Sequence, residues 1–384
     1  MKIAKRLTHL PPYPFARWAT EVRQTQGAGV DVIRLDIGNP DLMPPDPVID
    51  TLCASAREAD HHGYAGYRGL PTLRQAIADY YQRRFAVELD PDCEVVPLIG
   101  SKEGIVNLAL ACLDPGDVVL VPDPGYAPYT MGAMLAGADV VTFPLLASRG
   151  FAPDLEAIPA SVARKATMVW LNYPNNPTGA VVDRAFLEEA VAFARRWDLL
   201  LCHDAPYCDL TYDGYVAPSV LEVAGARDVA IEFNSLSKTY NMAGWRMGMA
   251  VGNPEVLTAL AQVKSNVDSG MFHSMQEAAV RALSMDRDWI ERRNLIYKER
   301  LTLLADGLSS VGLAAAVPRA ALYLWVALPS GVDEEVFARR WLTEAGVAVA
   351  PGSFFGASGK GYIRVSATAP TPRIREAVRR IQAL

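Results

Sequence analysis

An α/β fold, with a seven-stranded mostly parallel sheet carrying helices on both faces and a smaller α+β domain beside it, is predicted by three features of this sequence. Between residues 95 and 250, short apolar, β-branched runs alternate with longer segments of helical character. Strands buried on both faces and separated by helices imply a mostly parallel sheet covered on each side. From about residue 286 the texture changes to a long charged helical stretch followed by spaced strands and helices, the pattern of a second, smaller layer.

The candidate strands run from Val95 to Ile99, Val118 to Val121, Val140 to Phe143, Met168 to Asn172, Leu199 to Cys202, Ala230 to Phe233 and Met247 to Val251. Helices are predicted from Lys102 to Leu113, closed by Asp-Pro-Gly-Asp, from Asp183 to Trp197, and from Pro254 to Lys264. In the last third, a helix from Asp286 to Gly307 leads to the run Ala321 to Val326, a helix from Glu334 to Ala345, the run Tyr362 to Ser366 and a final helix from Thr371 to Leu384. The N-terminal arm holds Pro11, Pro12 and Pro14, then Pro40, Pro44, Pro45 and Pro47. It reads as irregular, packed on the smaller domain or on a second subunit.

Composition narrows the function classes. The chain has 384 residues, a net charge of -6 and a pI near 5.5, with 51% hydrophobic and 21% charged residues. That balance argues against adhesion to nucleic acid or to an anionic membrane and points to small-molecule or protein partners. Five cysteines, an odd number in a large chain, read as buried thiols in a reducing cytoplasm. The basic N-terminus lacks the continuous apolar stretch of a signal peptide. No run reaches the roughly 18 apolar residues of a membrane span, so a soluble cytoplasmic protein is expected.

In an open parallel sheet, ligands bind beyond the carboxyl ends of the strands, so the residues that follow each run are the ones to read. After Ile99 comes Gly100-Ser101-Lys102-Glu103-Gly104, opening a helix; after Val121 comes Pro-Asp-Pro-Gly-Tyr126. Asn172-Tyr-Pro-Asn-Asn176-Pro-Thr-Gly179 follows the next run, and His203-Asp204-Ala-Pro-Tyr207 the one after it. Ser235-Leu-Ser237-Lys238 closes the series, with Arg246 eight residues on. Each tip offers a different chemistry. Backbone amides at a helix start suit a phosphate, and Ser235, Ser237 and the forked cation of Arg246 add donors to the same anion. Tyr126 can stack on a ring, Asp204 can hold a ring nitrogen protonated, and Lys238 is an amine that can condense with an aldehyde. Singly, each has a plainer reading: a solvated lysine, a turn-capping Asp204 or Asn176, a tyrosine bracing a turn. Their joint occurrence in order favours one phosphorylated, aromatic, carbonyl-bearing cofactor. No ligand pair stands at zinc-site spacing, so no metal is expected.

The set Asn176-Pro-Thr-Gly179, Asp204-x-x-Tyr207 and Ser235-x-Ser237-Lys238 with Arg246 resembles the aspartate aminotransferase superfamily of fold-type-I pyridoxal-phosphate enzymes, from Leu10-Pro-Pro-Tyr13 to the C-terminal helix. The resemblance implies pyridoxal 5'-phosphate as cofactor, with Lys238 its covalent anchor and Asp204 the partner of its ring nitrogen. Tyr207 and Asn176 would bond the ring hydroxyl, and Tyr126 would stack on the ring. Ser101, Lys102, Ser235, Ser237 and Arg246 match the family's phosphate cup, and Tyr64 a tyrosine that reaches the neighbouring subunit's phosphate in a homodimer. Arg364 matches the arginine that grips the substrate α-carboxylate, helped by the backbone near Gly38 and by Asn176. Gly244 reads as an allowance for close backbone passage, and Lys264 to Gly270 as a further contribution across the interface. The implied division is a cofactor-binding domain at 41–285, with 1–40 and 286–384 as arm and small domain. Leu10-Pro-Pro-Tyr13, Gly100 to Ile105, Val121 to Tyr126 and Pro351-Gly352 with Phe355-Gly356 are similar to the LL-diaminopimelate aminotransferase group. Departures are Pro206, where alanine is usual, and Asn234, where histidine is common.

The expected activity is therefore ping-pong transfer of an amino group between an amino acid and a 2-oxo acid, by an LL-diaminopimelate aminotransferase of lysine biosynthesis or a related aspartate, alanine or glutamate enzyme. The same cup also serves carbon-sulfur β-lyases, which would release pyruvate or thiol from cystathionine without an acceptor. A non-catalytic regulator with a DNA-binding extension ranks last, because Lys238 is present and no extra domain precedes residues 1–40.

Overall fold

The computed structural model describes residues 3–8 and 10–384; Met1, Lys2 and His9 of the basic N-terminal stretch lie outside them. After a two-residue strand β1 (Ile33–Arg34) come β2 (Val95–Leu98), β3 (Val118–Asp123), β4 (Asp139–Pro144), β5 (Ala166–Asn172), β6 (Leu200–Asp204), β7 (Ala230–Ser235) and β8 (Gly248–Gly252). The last seven form one sheet in the order β2-β8-β7-β6-β5-β3-β4. Every neighbouring pair is parallel except the two made by β8, which runs against both β2 and β7. Each strand ends within two residues of the apolar run that predicts it. Continuous apolar sequence is what a strand needs when both of its faces are covered.

Alternation along the strands feeds two cores. Val169 and Leu171 join Leu120 and Leu201 on one face, beneath Leu187 and Val191 of the helix Arg184–Trp197 and Leu73 and Ile77 of Pro71–Phe85. Met168, Trp170, Cys202 and Phe233 point to the other face, which is roofed by helices Ser101–Cys112, Ala127–Ala136 and Pro254–Val267.

The last third adds β9 (Tyr323–Ala327), β10 (Val347–Ala348), β11 (Ala350–Pro351) and β12 (Tyr362–Ser366). An antiparallel sheet β11-β12-β9 packs with helices Asp288–Ser310 and Thr371–Gln382, while β1 pairs in parallel with β10. Glu334–Arg340 is helical and continues through a π turn at Trp341–Ala345.

The N-terminal arm departs from the expectation of irregularity. Pro14–Gly27 is an α-helix that buries Trp18 and Val22 in the second core, with Trp18 edge-on to Phe354 at 6.3 Å. Helices Asp46–Ser55, Pro71–Phe85, Ala127–Ala136 and His273–Leu283 also go beyond the predicted set. The physical reason is shared by four of these five. Each carries a proline at its first or second position, where the ring starts a helix by fixing φ and removes only an N–H that had no partner. Among the described residues no helix is long and apolar enough to cross a membrane.

Candidate active site

A cavity of about 450 Å³ opens beyond the carboxyl ends of the central strands and is closed from the other side by Phe15 of the first helix, Tyr323 of β9 and Arg364 of β12. Ser101, Lys102, Tyr126, Asn176, Asp204, Tyr207, Ser235, Ser237, Lys238, Arg246, Arg364 and Gly38 all reach it. Tyr64 alone of the predicted site residues does not; its side chain is 90% exposed.

One wall is built by backbone packed closely on backbone. Gly100 has φ +73°, which favours glycine, and the Arg246 guanidinium lies over it, 2.2 Å from where a Cβ would stand. Arg246 itself adopts φ 58° and donates from Nη1 to the carbonyl of Ala243 at 2.9 Å. At Gly248 a Cβ would meet the amide nitrogen of Ser101 at 2.7 Å. This is where the close passage lies. Gly244, expected in that role, has nothing within 4 Å of its would-be Cβ and is exposed. The hydroxyl of Ser235 is engaged locally, accepting from the amide of Ser237 at 3.1 Å and donating to the carbonyl of Met247 at 3.2 Å. The Lys102 ammonium lies 4.9 Å over the Tyr13 ring.

Asp204 ends β6 and is buried. Its Oδ2 accepts from the Tyr129 hydroxyl at 2.6 Å, whereas Oδ1, equally buried, has no partner. Burial pushes the carboxyl up to about 6, opposed by the Tyr129 hydrogen bond and by His203. Such an oxygen carries the desolvation cost of a buried acceptor unless a donor from outside the chain meets it. Tyr126 opens the helix Ala127–Ala136 and sets its ring edge-on to Tyr129, centroids 5.7 Å apart.

Lys238 sits in the single turn Leu236–Thr239 that follows β7. Its ammonium donates to the carbonyl of Gly38, and among the described residues no carboxylate pairs with it. Burial, then the charges of Arg364 and Arg246, lower its pKa to about 7. At neutral pH a large fraction of this amine is therefore free base, the form that attacks carbonyls and accepts protons.

Arg364 is 4% exposed and forms no ion pair among the described residues, so it is no surface salt bridge. Nη1 donates to Asn176 Oδ1 and Nη2 to the Asp36 carbonyl, both at 2.7 Å, while Nε has no partner. The guanidinium is enclosed by aromatic faces, 4.2 Å from the Tyr323 centroid, 4.6 Å from Phe355 and 5.6 Å from Phe15. A buried cation with neutral partners and a spare donor is poised for an incoming anion.

Tyr323, Tyr129, Asn172, Phe15 and Phe355 were not legible as site residues. Tyr323 shares a 2.8 Å hydrogen bond with the Tyr207 hydroxyl and approaches Gly38 so closely that a Cβ there would meet its oxygen at 1.8 Å. Asn172 braces two tips at once: its Nδ2 donates to the Asp204 carbonyl at 2.7 Å and its Oδ1 accepts from the Asn176 amide at 2.8 Å. Lys264, expected to reach across an interface, instead turns inward to Glu103 and Asp268 at 2.9 and 2.7 Å and is 1% exposed.

Comparison with known proteins agrees with this geometry. Residues 30–381 match the family "Aminotransferase class I and II". An LL-diaminopimelate aminotransferase of Moorella thermoacetica is 48% identical over 382 residues, covering 100% of this chain and 98% of that protein. One from Desulforudis audaxviator is 50% identical over 379 residues, covering 99% and 97%. Among solved structures, substrate-bound BacF from Bacillus subtilis superposes with a TM-score of 0.95 at 37% identity, covering 100% of this chain and 98% of that one. An aspartate aminotransferase mutant of Thermus thermophilus gives 0.93 at 31%, covering 100% and 99%. The class is one of pyridoxal-phosphate enzymes. With the family matched over nearly its whole length, this chain belongs to the class I and II aminotransferases and is a transaminase.

Proposed function

We propose that this chain binds pyridoxal 5'-phosphate in the cavity and reversibly transfers an amino group between LL-diaminopimelate and a 2-oxo acid, a step of lysine biosynthesis. The observation that carries the reading is a pairing across one cavity: Lys238, an amine with a pKa of about 7, and Asp204 Oδ1, a buried oxygen that lacks a donor. The substrate follows from the relatives of that name at 48 and 50% identity.

The donors suit the cofactor group by group. Ser101, Lys102, Ser235, Ser237, Arg246 and the amides opening Ser101–Cys112 would hold its phosphate. Asp204 Oδ1 would accept from the ring nitrogen, Tyr207 and Asn176 would orient the ring hydroxyl, and Tyr126 would lie against the ring. When bound, pyridoxal phosphate supplies an aldehyde that condenses with amines and a ring that withdraws electrons from the substrate α-carbon.

The chain's own residues do the rest. Arg364 grips the α-carboxylate with its fork and, with Asn176, fixes the α-carbon beside Lys238. Lys238 Nζ would take the α-proton and return it two atoms along, to the carbon on the far side of the substrate nitrogen, which its pKa near neutrality allows in both directions. Asp204 stabilises a proton at the position its free oxygen faces, and Phe15, Tyr323 and Phe355 exclude water around Arg364. The test is a half-reaction panel without acceptor, reading 2-oxo acid released per site from LL-diaminopimelate, glutamate, aspartate, alanine and an aromatic amino acid. LL-diaminopimelate should release about one equivalent and stop, as ping-pong transfer demands. Release only from another amino acid moves the substrate. Continuous pyruvate release from cystathionine points to β-elimination.

A homodimer is part of the same proposal. Tyr64 is exposed and does not line its own cavity, so it would serve the partner's phosphate. Light scattering should give twice the chain mass, and Tyr64→Phe should weaken cofactor binding several-fold; a fully active monomer would remove Tyr64 from the site.

A further inference from the structure

Tyr129 lies one helical turn from Tyr126, touches Asp204 and has no part in the reactions above. We infer that Tyr129 is a positioning residue that keeps Asp204 ionised and turns its free oxygen toward the cavity, an inference that rests on the cofactor reading above.

The geometry leaves Asp204 little choice. Its backbone is fixed on two sides, the carbonyl by Asn172 Nδ2 at 2.7 Å and the next amide, Ala205, by the Phe233 carbonyl at 2.8 Å. Only the carboxylate can turn, and the Tyr129 hydroxyl claims one of its oxygens at 2.6 Å. The other oxygen is thereby aimed, and it is the one without a partner.

Tyr129 can do this because its ring cannot move. It is 1% exposed and stacks on Trp170 with centroids 4.7 Å apart and planes 12° from parallel; Trp170 in turn leans on Phe233 at 5.5 Å. Tyr126 closes the edge. The helix that carries Tyr129 is seated tightly as well, since a Cβ on Gly132 would come within 3.3 Å of Ala109. A ring pinned on both sides presents its hydroxyl in one direction.

The chemistry fixes the sign. A hydroxyl donating to a carboxylate favours the ionised form, so it opposes the burial that raises the Asp204 pKa. The other groups facing Asp204 are few. His203 lies beside it on β6, bonded at 2.8 Å to Glu232, and Tyr126, Tyr207 and Lys238 share the cavity. Tyr129 is the one that donates to the Asp204 carboxylate. Without it the carboxyl would protonate at a higher pH and lose the charge that a protonated ring nitrogen requires.

The test measures pyridoxal phosphate binding to the full chain, by equilibrium dialysis between pH 5.5 and 8.5. Affinity should be full above the Asp204 pKa and fall as pH drops through it, with the wild-type break near 6, the value burial and its partners give Asp204. Tyr129→Phe keeps the stacked ring and removes only the donor. Its break should move up by about one unit, so that binding is about fivefold weaker near pH 6, more so at lower pH, and close to wild type at the alkaline end. The cofactor phosphate and the Lys238 amine titrate in the same range, so Asp204→Asn supplies the baseline, and in that background Tyr129→Phe should leave the curve where it is. A uniform loss at every pH, an unchanged curve, or the same upward shift from Tyr129→Phe in the Asp204→Asn background would overturn the inference. Failure of the wild type to bind pyridoxal phosphate would instead overturn the cofactor reading.

Discussion

Lys238→Ala should lower turnover by at least about 10⁴-fold, the upper range for one acid–base group, with nucleophilic loss on top. It should do so without unfolding the protein. Lys238 is a cation kept near Arg364 and Arg246 with only a carbonyl for a partner, so deleting it relieves repulsion. A melting temperature of the cofactor-free protein equal to or above wild type, with turnover gone, is the expected pair of results. The wild-type rate should rise with pH through about 7, because Nζ must lose its proton to act and burial with two arginines sets that value. Turnover above a tenth of wild type in the alanine variant would take Lys238 out of the chemistry.

Arg364→Ala should raise KM for the amino acid by roughly 10–100-fold, the worth of charge-assisted hydrogen bonds at about 1.5–3 kcal/mol. Two further effects separate a substrate-binding cation from a packing residue. Asn176 Oδ1 and the Asp36 carbonyl would each lose a donor in a buried setting, so stability should fall by about 1–3 kcal/mol. Removing the charge would also let Lys238 hold its proton longer, so the ascending limb of the rate should shift to higher pH. Arg364→Lys restores charge but not the fork, and it should recover the pH limb while leaving KM high. If KM stays unchanged and only stability drops, the arginine is structural.

The sheet and the tips of its strands were legible because each carries its own signal within a few residues. Val118 to Val121 is apolar throughout because both faces are covered, and Asp204 and Lys238 stand where such runs stop. The residues that brace the site were not, because their meaning depends on distant partners. Tyr129 lies 75 positions from Asp204, and its role rests on the phase of a helix whose early proline reads as a loop. Tyr323 sits within a strand of the second layer, 116 positions from the hydroxyl it shares. Asn172 ends a predicted run, yet nothing local says that its amide ties Asp204 to Asn176. Gly244 stands inside the motif, but it is Gly248, four residues on, that meets backbone, because β8 runs between β2 and β7.

That return has a consequence for how the site assembles. Ser235 pairs with Gly248 across the one antiparallel seam between sequential strands of the large sheet, closing a short excursion that carries both Lys238 and Arg246. The chain must close only a small loop to bring those two cations into register, so the entropy of that closure is modest. Asp204 and Asn176 join them only through parallel crossovers of greater span, which are slower to form. The Lys238–Arg246 edge of the cavity is thus closed by a short loop, whereas its junction with Asp204 and Asn176 needs long-range pairing.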